Sequence, residues 1–185
     1  MNPLDAKKLL ADSEVLFTVE EVNAATSRVA REMCRDYADQ NPLILSVMGG
    51  AVVFTGQLLP QLDFPLDFDI VQASRYGAAT VGTNLTWRVT PRENVKDRHV
   101  LLVDDILDEG ITLAAIVDLL KHQGAASVEC AVFCVKDYGE AINAKKPIHA
   151  RYVGITVPDR FIFGYGMDVS GAWRNLPAIY AMKGK

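Results

Sequence analysis

The residues whose types and spacing best suit chemistry lie in LLVDDILDEGIT, positions 101–112. A β-branched apolar run ends in the paired carboxylates Asp104 and Asp105, and a loop holding Asp108 and Glu109 then opens onto a helical pattern. Adjacent carboxylates suit hydroxyls or a magnesium ion, which takes oxygen ligands. At the helix start the backbone N–H groups of Glu109, Gly110, Ile111 and Thr112 would point outward. The glycine allows close approach and the Thr112 hydroxyl stands beside it, an arrangement that suits a phosphate monoester. Further on, Lys136 closes an apolar run, where an ammonium could hydrogen-bond a ligand carbonyl. Phe161 could stack on a heterocycle and Asp168 could reach a metal. Taken singly, each has a plainer reading as a solvated lysine, a core phenylalanine or a surface acid.

These residues need elements to position them. Thr18 followed by Glu21 forms a capping box, and Val22, Ala25, Val29, Met33 and Tyr37 recur at helical spacing behind it. After Asn41-Pro42 come the strand-like LILSVM, the Gly49-Gly50 turn and the helical AVVFTGQLL. DFDIVQAS reads as a strand, RYGAATVGTN as a mobile loop without an apolar period, and TNLTWRVT as a strand returning from it. HVLLVDD is a strand. Leu113, Ile116, Val117 and Leu120 mark a helix closing at Gly124, and VECAVFCVK is the next strand. Strands alternating with helices predict an α/β fold with a mainly parallel sheet covered on both faces. Such sheets bind ligands beyond the carboxyl ends of their strands, where both the Gly49-Gly50 turn and the Asp104-Asp105 pair fall.

Composition sets the outer bounds. With 185 residues, 50% of them hydrophobic and 23% charged, the chain suits a single domain with one core. A formal charge of -4 carries no electrostatic footprint for nucleic acid. Asp5, Lys7, Lys8 and Asp12 interrupt the region where a secretory signal needs its apolar stretch, and no run approaches the roughly 18 apolar residues of a spanning helix. The expectation is a cytoplasmic protein with no membrane partner. Cys34, Cys130 and Cys134 are too few and too scattered for a disulfide framework. Cys130 and Cys134, four apart on a strand, are expected on one face as buried thiols. His99, His122 and His149 adjoin no nucleophile motif. The N-terminal ~15 residues read either as a disordered tail or as an arm reaching a neighbouring subunit.

The 101–112 stretch resembles the phosphoribosyl pyrophosphate motif of the type I phosphoribosyltransferases: an apolar strand, two acids, two apolar residues, then Asp, usually Thr, Gly, and a Thr two further on. The match holds at Asp104, Asp105, Asp108, Gly110 and Thr112, with Glu109 where Thr is usual. The resemblance implies a mainly parallel twisted sheet flanked by helices, with a core over about 40–150. The N-terminal residues and about 151–182 would add a small hood. It also implies that Asp104 and Asp105 hold the ribose hydroxyls and serve magnesium, that residues 108–112 cradle the 5-phosphate, and that Asp108 is catalytic. Downstream, a Val-Lys ahead of PDRFIFGYGMD is similar to the hypoxanthine-guanine branch of that family. That similarity implies that Lys136 contacts purine O6, Phe161 stacks on the base, Ile162 offers backbone groups to the ring edge and Asp168 binds magnesium. Arg174 would meet pyrophosphate together with Gly49 and Gly50. Tyr76 and Gly77 match the flexible loop around Ser74, Arg75 and Tyr76, with Arg75 replacing a frequent Ser and Met48 a frequent Lys.

The activity so implied is transfer of a phosphoribosyl group from phosphoribosyl pyrophosphate to hypoxanthine or guanine with Mg2+, by a homodimer or homotetramer. Other readings fit less well. The Asp-Asp-x-x-Asp pattern of terpenoid synthases lies on a helix rather than after a strand, and a receiver domain carries its acid pair near its start. A regulator built on the same fold needs a recognition helix or a basic surface. Xanthine- or pyrimidine-specific transfer stays open, because few contacts read one exocyclic group.

Overall fold

The apolar runs of the sequence become the strands of a six-stranded sheet in a computed structural model that describes residues 1–75 and 85–183. In chain order the elements are α1 (Pro3–Ala11), β1 (Ser13–Phe17), α2 (Val19–Tyr37), β2 (Leu43–Val47), α3 (Val52–Leu58), β3 (Asp67–Arg75), β4 (Leu85–Val89) and β5 (His99–Leu107). Then follow α4 (Ile111–His122), β6 (Ser127–Asp137), α5 (Glu140–Asn143), β7 (Tyr152–Pro158), β8 (Ile162–Phe163) and β9 (Ile179–Met182). The large sheet has the order β4-β3-β2-β5-β6-β7. From β3 to β7 its neighbours pair in parallel, and β4 returns antiparallel on the edge.

Each face of the sheet buries its own helices. Val22, Val29 and Met33 of α2 pack with Phe54 of α3 and Phe133 of β6, while Leu113, Ile116 and Leu120 of α4 pack on Val100, Leu102 and Val132. Each such side chain contributes about 1.5–3 kcal/mol when fully buried, so both layers are fixed to the sheet. The α2 capping box forms as its sequence demands: Thr18 Oγ1 accepts from the Glu21 N–H at 3.3 Å and the Thr18 N–H donates to Glu21 Oε2 at 2.8 Å. At the far end of α4, the Ala125 N–H reaches the Leu120 carbonyl and the Gly124 N–H the Lys121 carbonyl, with Gly124 at φ +90°. That is a Schellman closure around the glycine expected there.

Several expectations need correcting. Cys130 packs with the α4 cluster and Cys134 with the α2 cluster, so the two thiols lie on opposite faces. Consecutive Phe133 and Cys134 both join the α2 side, and the β5–β6 ladder runs from Asp104↔Val132 to Ile106↔Cys134. The period-2 rule assumes uninterrupted alternation, and here it slips at one position. Both thiols are buried, and burial pushes Cys130 up to about 12 and Cys134 higher still. Ser74, which the family resemblance puts in the flexible loop although it closes the expected strand DFDIVQAS, and Arg75, read as loop, are the last two residues of β3, opposite Thr86 and Leu85 of β4. Tyr76 and the rest of the expected loop lie outside the described residues.

The N-terminus is not a free tail. Asn2 caps α1, β1 pairs antiparallel with β9, and Trp173 Nε1 donates to the Ala6 carbonyl at 2.8 Å. Strands β1, β9 and β8 form a second, three-stranded sheet, whereas β7 still belongs to the large one, so sheet membership changes after Pro158. The loop that follows β8 reaches the turn at the carboxyl end of β2, where Gly166 approaches the Gly50 carbonyl. Tyr165 anchors the loop that follows β8: its hydroxyl meets Thr26 Oγ1 of α2 at 2.8 Å, and its ring lies 4.4 Å from that of Phe133.

Candidate active site

The carboxyl ends of β2, β5 and β6 and the loop after β8 converge on one crevice. Asp104 and Asp105 lie within the last four residues of β5, which runs on to Leu107, and their carboxylates accept the next N–H along the chain, Asp105 N at 2.9 Å and Ile106 N at 2.8 Å. Both carboxyls are pushed up, first by burial. The charge of Asp105 adds to the effect on Asp104, while hydrogen bonds and the charge of Arg174 partly offset it on Asp105. Hydroxyl donors or a cation at the pair would relieve the effect by favouring the charged carboxylates.

Asp105 lies against the Gly49-Gly50 turn so closely that a Cβ on Gly50 would fall 1.7 Å from its Oδ2. The Met48–Gly49 peptide in that turn is cis. On the other side of Gly50, its carbonyl oxygen would lie 2.0 Å from a Cβ on Gly166, which sits at φ +102°. Glycine at 166 therefore answers both a close approach and a left-handed backbone. Arg174 fastens the same loop: Nη1 donates to the Gly166 carbonyl at 2.7 Å and Nη2 pairs with Asp168 Oδ1 at 2.5 Å. The second Asp168 oxygen accepts from the Gly171 N–H at 2.6 Å. The structure thus joins Gly50, Asp105, Gly166, Asp168 and Arg174 into one contiguous wall.

The neighbouring wall is the loop from β5 to α4. A cleft there is lined by Asp104, Ile106 and residues 107–113. Helix α4 begins at Gly110, φ +81°, with no side-chain cap hydrogen bond, so the first N–H groups of the helix are left for a ligand. Glu109, in the place of the usual Thr, is exposed and is itself among the residues that line the cleft.

The third wall comes from β6. Lys136 is not a solvated lysine. Its side chain is 15% exposed, and Nζ lies 3.8 Å from Asp108 Oδ2 and 3.5 Å from Asp159 Oδ1. Phe161 is 45% exposed, as a stacking platform must be, and Ile162 is buried in β8 with its side chain in the core, leaving only backbone for a ligand. Three residues here were missed from sequence. Asp159 stood inside the PDRF motif without an assigned role. Tyr138 donates its hydroxyl to Asp108 Oδ1, and Lys146 donates to the Lys136 carbonyl at 2.5 Å. The segment KDYGEAINAKKP carries no periodicity that would place the last two.

Among the described residues no group of three or more His, Cys, Asp or Glu side chains converges on one point, and no helix is long and apolar enough to cross a membrane. Fold and site define an α/β protein that takes a phosphorylated, hydroxyl-bearing ligand at the carboxyl ends of parallel strands, beside an exposed aromatic and a lysine. Residues 16–170 match the family model described as phosphoribosyl transferase domain. The chain is 34% identical over 173 residues to the hypoxanthine-guanine phosphoribosyltransferase of Streptococcus pneumoniae strain R6, covering 92% of this chain and 93% of the relative. It is also 34% identical to the hypoxanthine-guanine-xanthine phosphoribosyltransferase of Tritrichomonas foetus, with 91% of each covered. A solved hypoxanthine phosphoribosyltransferase from Staphylococcus aureus superposes with a TM-score of 0.86 at 29% identity, covering 99% of this chain and 96% of that one. The chain belongs to the phosphoribosyltransferase family, among its hypoxanthine-guanine members.

Proposed function

We propose that this enzyme transfers the 5-phosphoribosyl group of phosphoribosyl pyrophosphate to hypoxanthine or guanine, giving IMP or GMP and pyrophosphate. The observation that carries the reading is the meeting of Asp108 and Lys136, 3.8 Å apart at the ends of adjacent parallel strands beside the open start of α4. It sets a proton acceptor and a carbonyl-directed cation next to a phosphate cradle. In this reading Asp104 and Asp105 hold the ribose hydroxyls and residues 108–112 the 5-phosphate. Gly49, Gly50 and Arg174 hold pyrophosphate, and Lys136, Phe161 and the Ile162 backbone hold the purine.

As the bond from the ribose carbon to pyrophosphate breaks and the bond to the base nitrogen forms, positive charge gathers on the ribose ring and negative charge on the leaving oxygens. Arg174 opposes the second charge. Asp108 takes or shares the proton that the base gives up. The donors also fit magnesium: Asp104, Asp105 and Asp168 are all carboxylates, and this ion ordinarily keeps waters and substrate phosphates and needs only one or two protein carboxylates. When bound it supplies further neutralisation of the pyrophosphate charge. Asp168 would then exchange part of its pairing with Arg174 for the ion.

The test is a spectrophotometric assay with phosphoribosyl pyrophosphate and magnesium, run in parallel with hypoxanthine, guanine, xanthine, adenine and uracil. Turnover of hypoxanthine or guanine that chelation abolishes is expected. Turnover of adenine or uracil alone, or silence with all five, removes the proposal. The same preparation on a light-scattering column reads whether the enzyme is the homodimer or homotetramer that its family resemblance implies.

A further inference from the structure

We propose that Tyr138 is a positioning residue for Asp108, holding one carboxylate oxygen so that the other faces the base. The proposal rests on the role given to Asp108 above. The two oxygens of Asp108 are not equivalent in the fold: Oδ1 accepts from the Tyr138 hydroxyl, while Oδ2 faces Lys136, the group assigned to the base carbonyl. Asp108 projects from a loop with its side chain 48% exposed, so nothing in its own segment would stop the carboxylate from rotating. A phenol on one oxygen removes that freedom at the point where misplacement by a fraction of an ångström matters.

Tyr138 is itself held. Its N–H donates to Asn143 Oδ1 at 3.2 Å, and Asp137 Oδ1 binds both the Gly139 N–H and Asn143 Nδ2, at 2.8 and 2.6 Å, which folds the turn after β6. Two ammonium groups lie over the ring, Lys146 Nζ at 5.1 Å and Lys136 Nζ at 5.7 Å from its centroid. Lys146 is nearly buried, 8% exposed, and also donates to the Lys136 carbonyl. One lysine therefore fixes both the tyrosine and the strand end that carries the base-reading lysine. Burial first, and then the Asp108 carboxylate, raise the Tyr138 phenol well above its ordinary value. It stays protonated, and so a donor, across the neutral range.

The experiment compares Tyr138→Phe in two backgrounds, wild type and Asp108→Asn, measuring kcat and both KM values with hypoxanthine and phosphoribosyl pyrophosphate. Thermal midpoints are taken alongside. Phe keeps the ring beside the two lysines and removes only the hydroxyl. In the wild-type background kcat is expected to fall about tenfold, the order of a charge-assisted hydrogen bond. KM for phosphoribosyl pyrophosphate should change by less than about twofold, within the range of a uniform-binding control. In the Asp108→Asn background the same substitution should do nothing further, because residues that act as a unit are not additive. An equal loss in both backgrounds, an unchanged or raised kcat in the first, or a loss confined to KM overturns the proposal. Full turnover by Asp108→Asn alone overturns the reading of Asp108, and Tyr138's role with it. Normal Asp108 dependence with an inert Tyr138→Phe leaves the proposed function standing and removes only this inference.

Discussion

Asp108 stands between a phenol and an ammonium, and the chemistry asked of it is narrow: to accept or share one proton from the base while the ribose–pyrophosphate bond opens. Asp108→Asn preserves size and removes the proton acceptor, so the expected result is a fall in kcat of about 10²–10⁴. KM for phosphoribosyl pyrophosphate should change by less than about threefold, since a residue that acts only in the transition state contributes little to ground-state binding. Steady-state kinetics read both, and a large loss of phosphoribosyl pyrophosphate affinity with normal turnover would refute the assignment. At this scale the sequence was most legible where the backbone itself does the work. The acids at 104 and 105, the loop at 108–112 and the Gly49-Gly50 turn are local patterns, and the structure places them at one crevice. What could not be read were individual side-chain pairings: Tyr138 on Asp108, thirty residues apart, and Arg174 on Asp168, close in sequence but joined across a segment with no helical or strand period.

Among the elements, the loop after β8 fits closely, backbone against backbone, on the Gly49-Gly50 turn. Its Gly166 approaches the Gly50 carbonyl so closely that a methyl group there would lie 2.0 Å from that oxygen. A carbonyl in a tight turn cannot swing aside as a side chain can. Gly166→Ala must therefore displace either the 164–168 loop or the Gly49-Gly50 turn, and a shift of about 1 Å at a reacting centre costs about 10² in rate. The expected outcome is a loss of that order in kcat/KM for phosphoribosyl pyrophosphate, and wild-type kinetics would show that this contact is no part of the site. Gly56 is the counterpart. It lies exposed within α3, where a Cβ would meet nothing within 4 Å. Gly56→Ala should stabilise by about 0.5–1 kcal/mol through the unfolded chain's lost freedom, raising Tm by about 2–4 °C per kcal/mol with activity unchanged. Calorimetry on the two variants separates a glycine needed by the site from one that is merely tolerated. The elements themselves were largely legible, because helical and strand periods survive in α2, β2, β5, α4 and β6. The N-terminal α1 and β1 were not, since β1 is a strand only by virtue of β9, more than 160 positions later.

Over the whole molecule, the end of the sheet opposite the crevice is closed by charge rather than by apolar packing. Asp36 at the end of α2 accepts from Arg35 Nε and Arg151 Nη2, both at 2.9 Å, and from the Tyr152 hydroxyl at 3.0 Å. Arg151 turns its other nitrogen to Glu129 Oε1 at 2.5 Å, and Tyr37 donates to the second Glu129 oxygen at 2.9 Å. Helix α2 is thereby tied to the starts of β6 and β7. Hydrogen bonds from Arg35 and Tyr152 and the bond from Arg151 hold Asp36 below its ordinary value of 3.8. A carboxyl lowered by folding binds its proton more readily in the unfolded chain. Its contribution to stability is therefore complete above pH 3.8 and is lost as pH falls through the lowered value. Asp36→Asn should unfold at lower denaturant than wild type at pH 7, with the gap narrowing as pH drops below the ordinary aspartate range. A gap that stays constant with pH would mean that the charge is not what α2 depends on. Because the network and the crevice sit at opposite ends of the same strands, kcat and KM at pH 7 should remain those of wild type. Destabilisation that also lowers turnover would show that the two ends are coupled through the sheet.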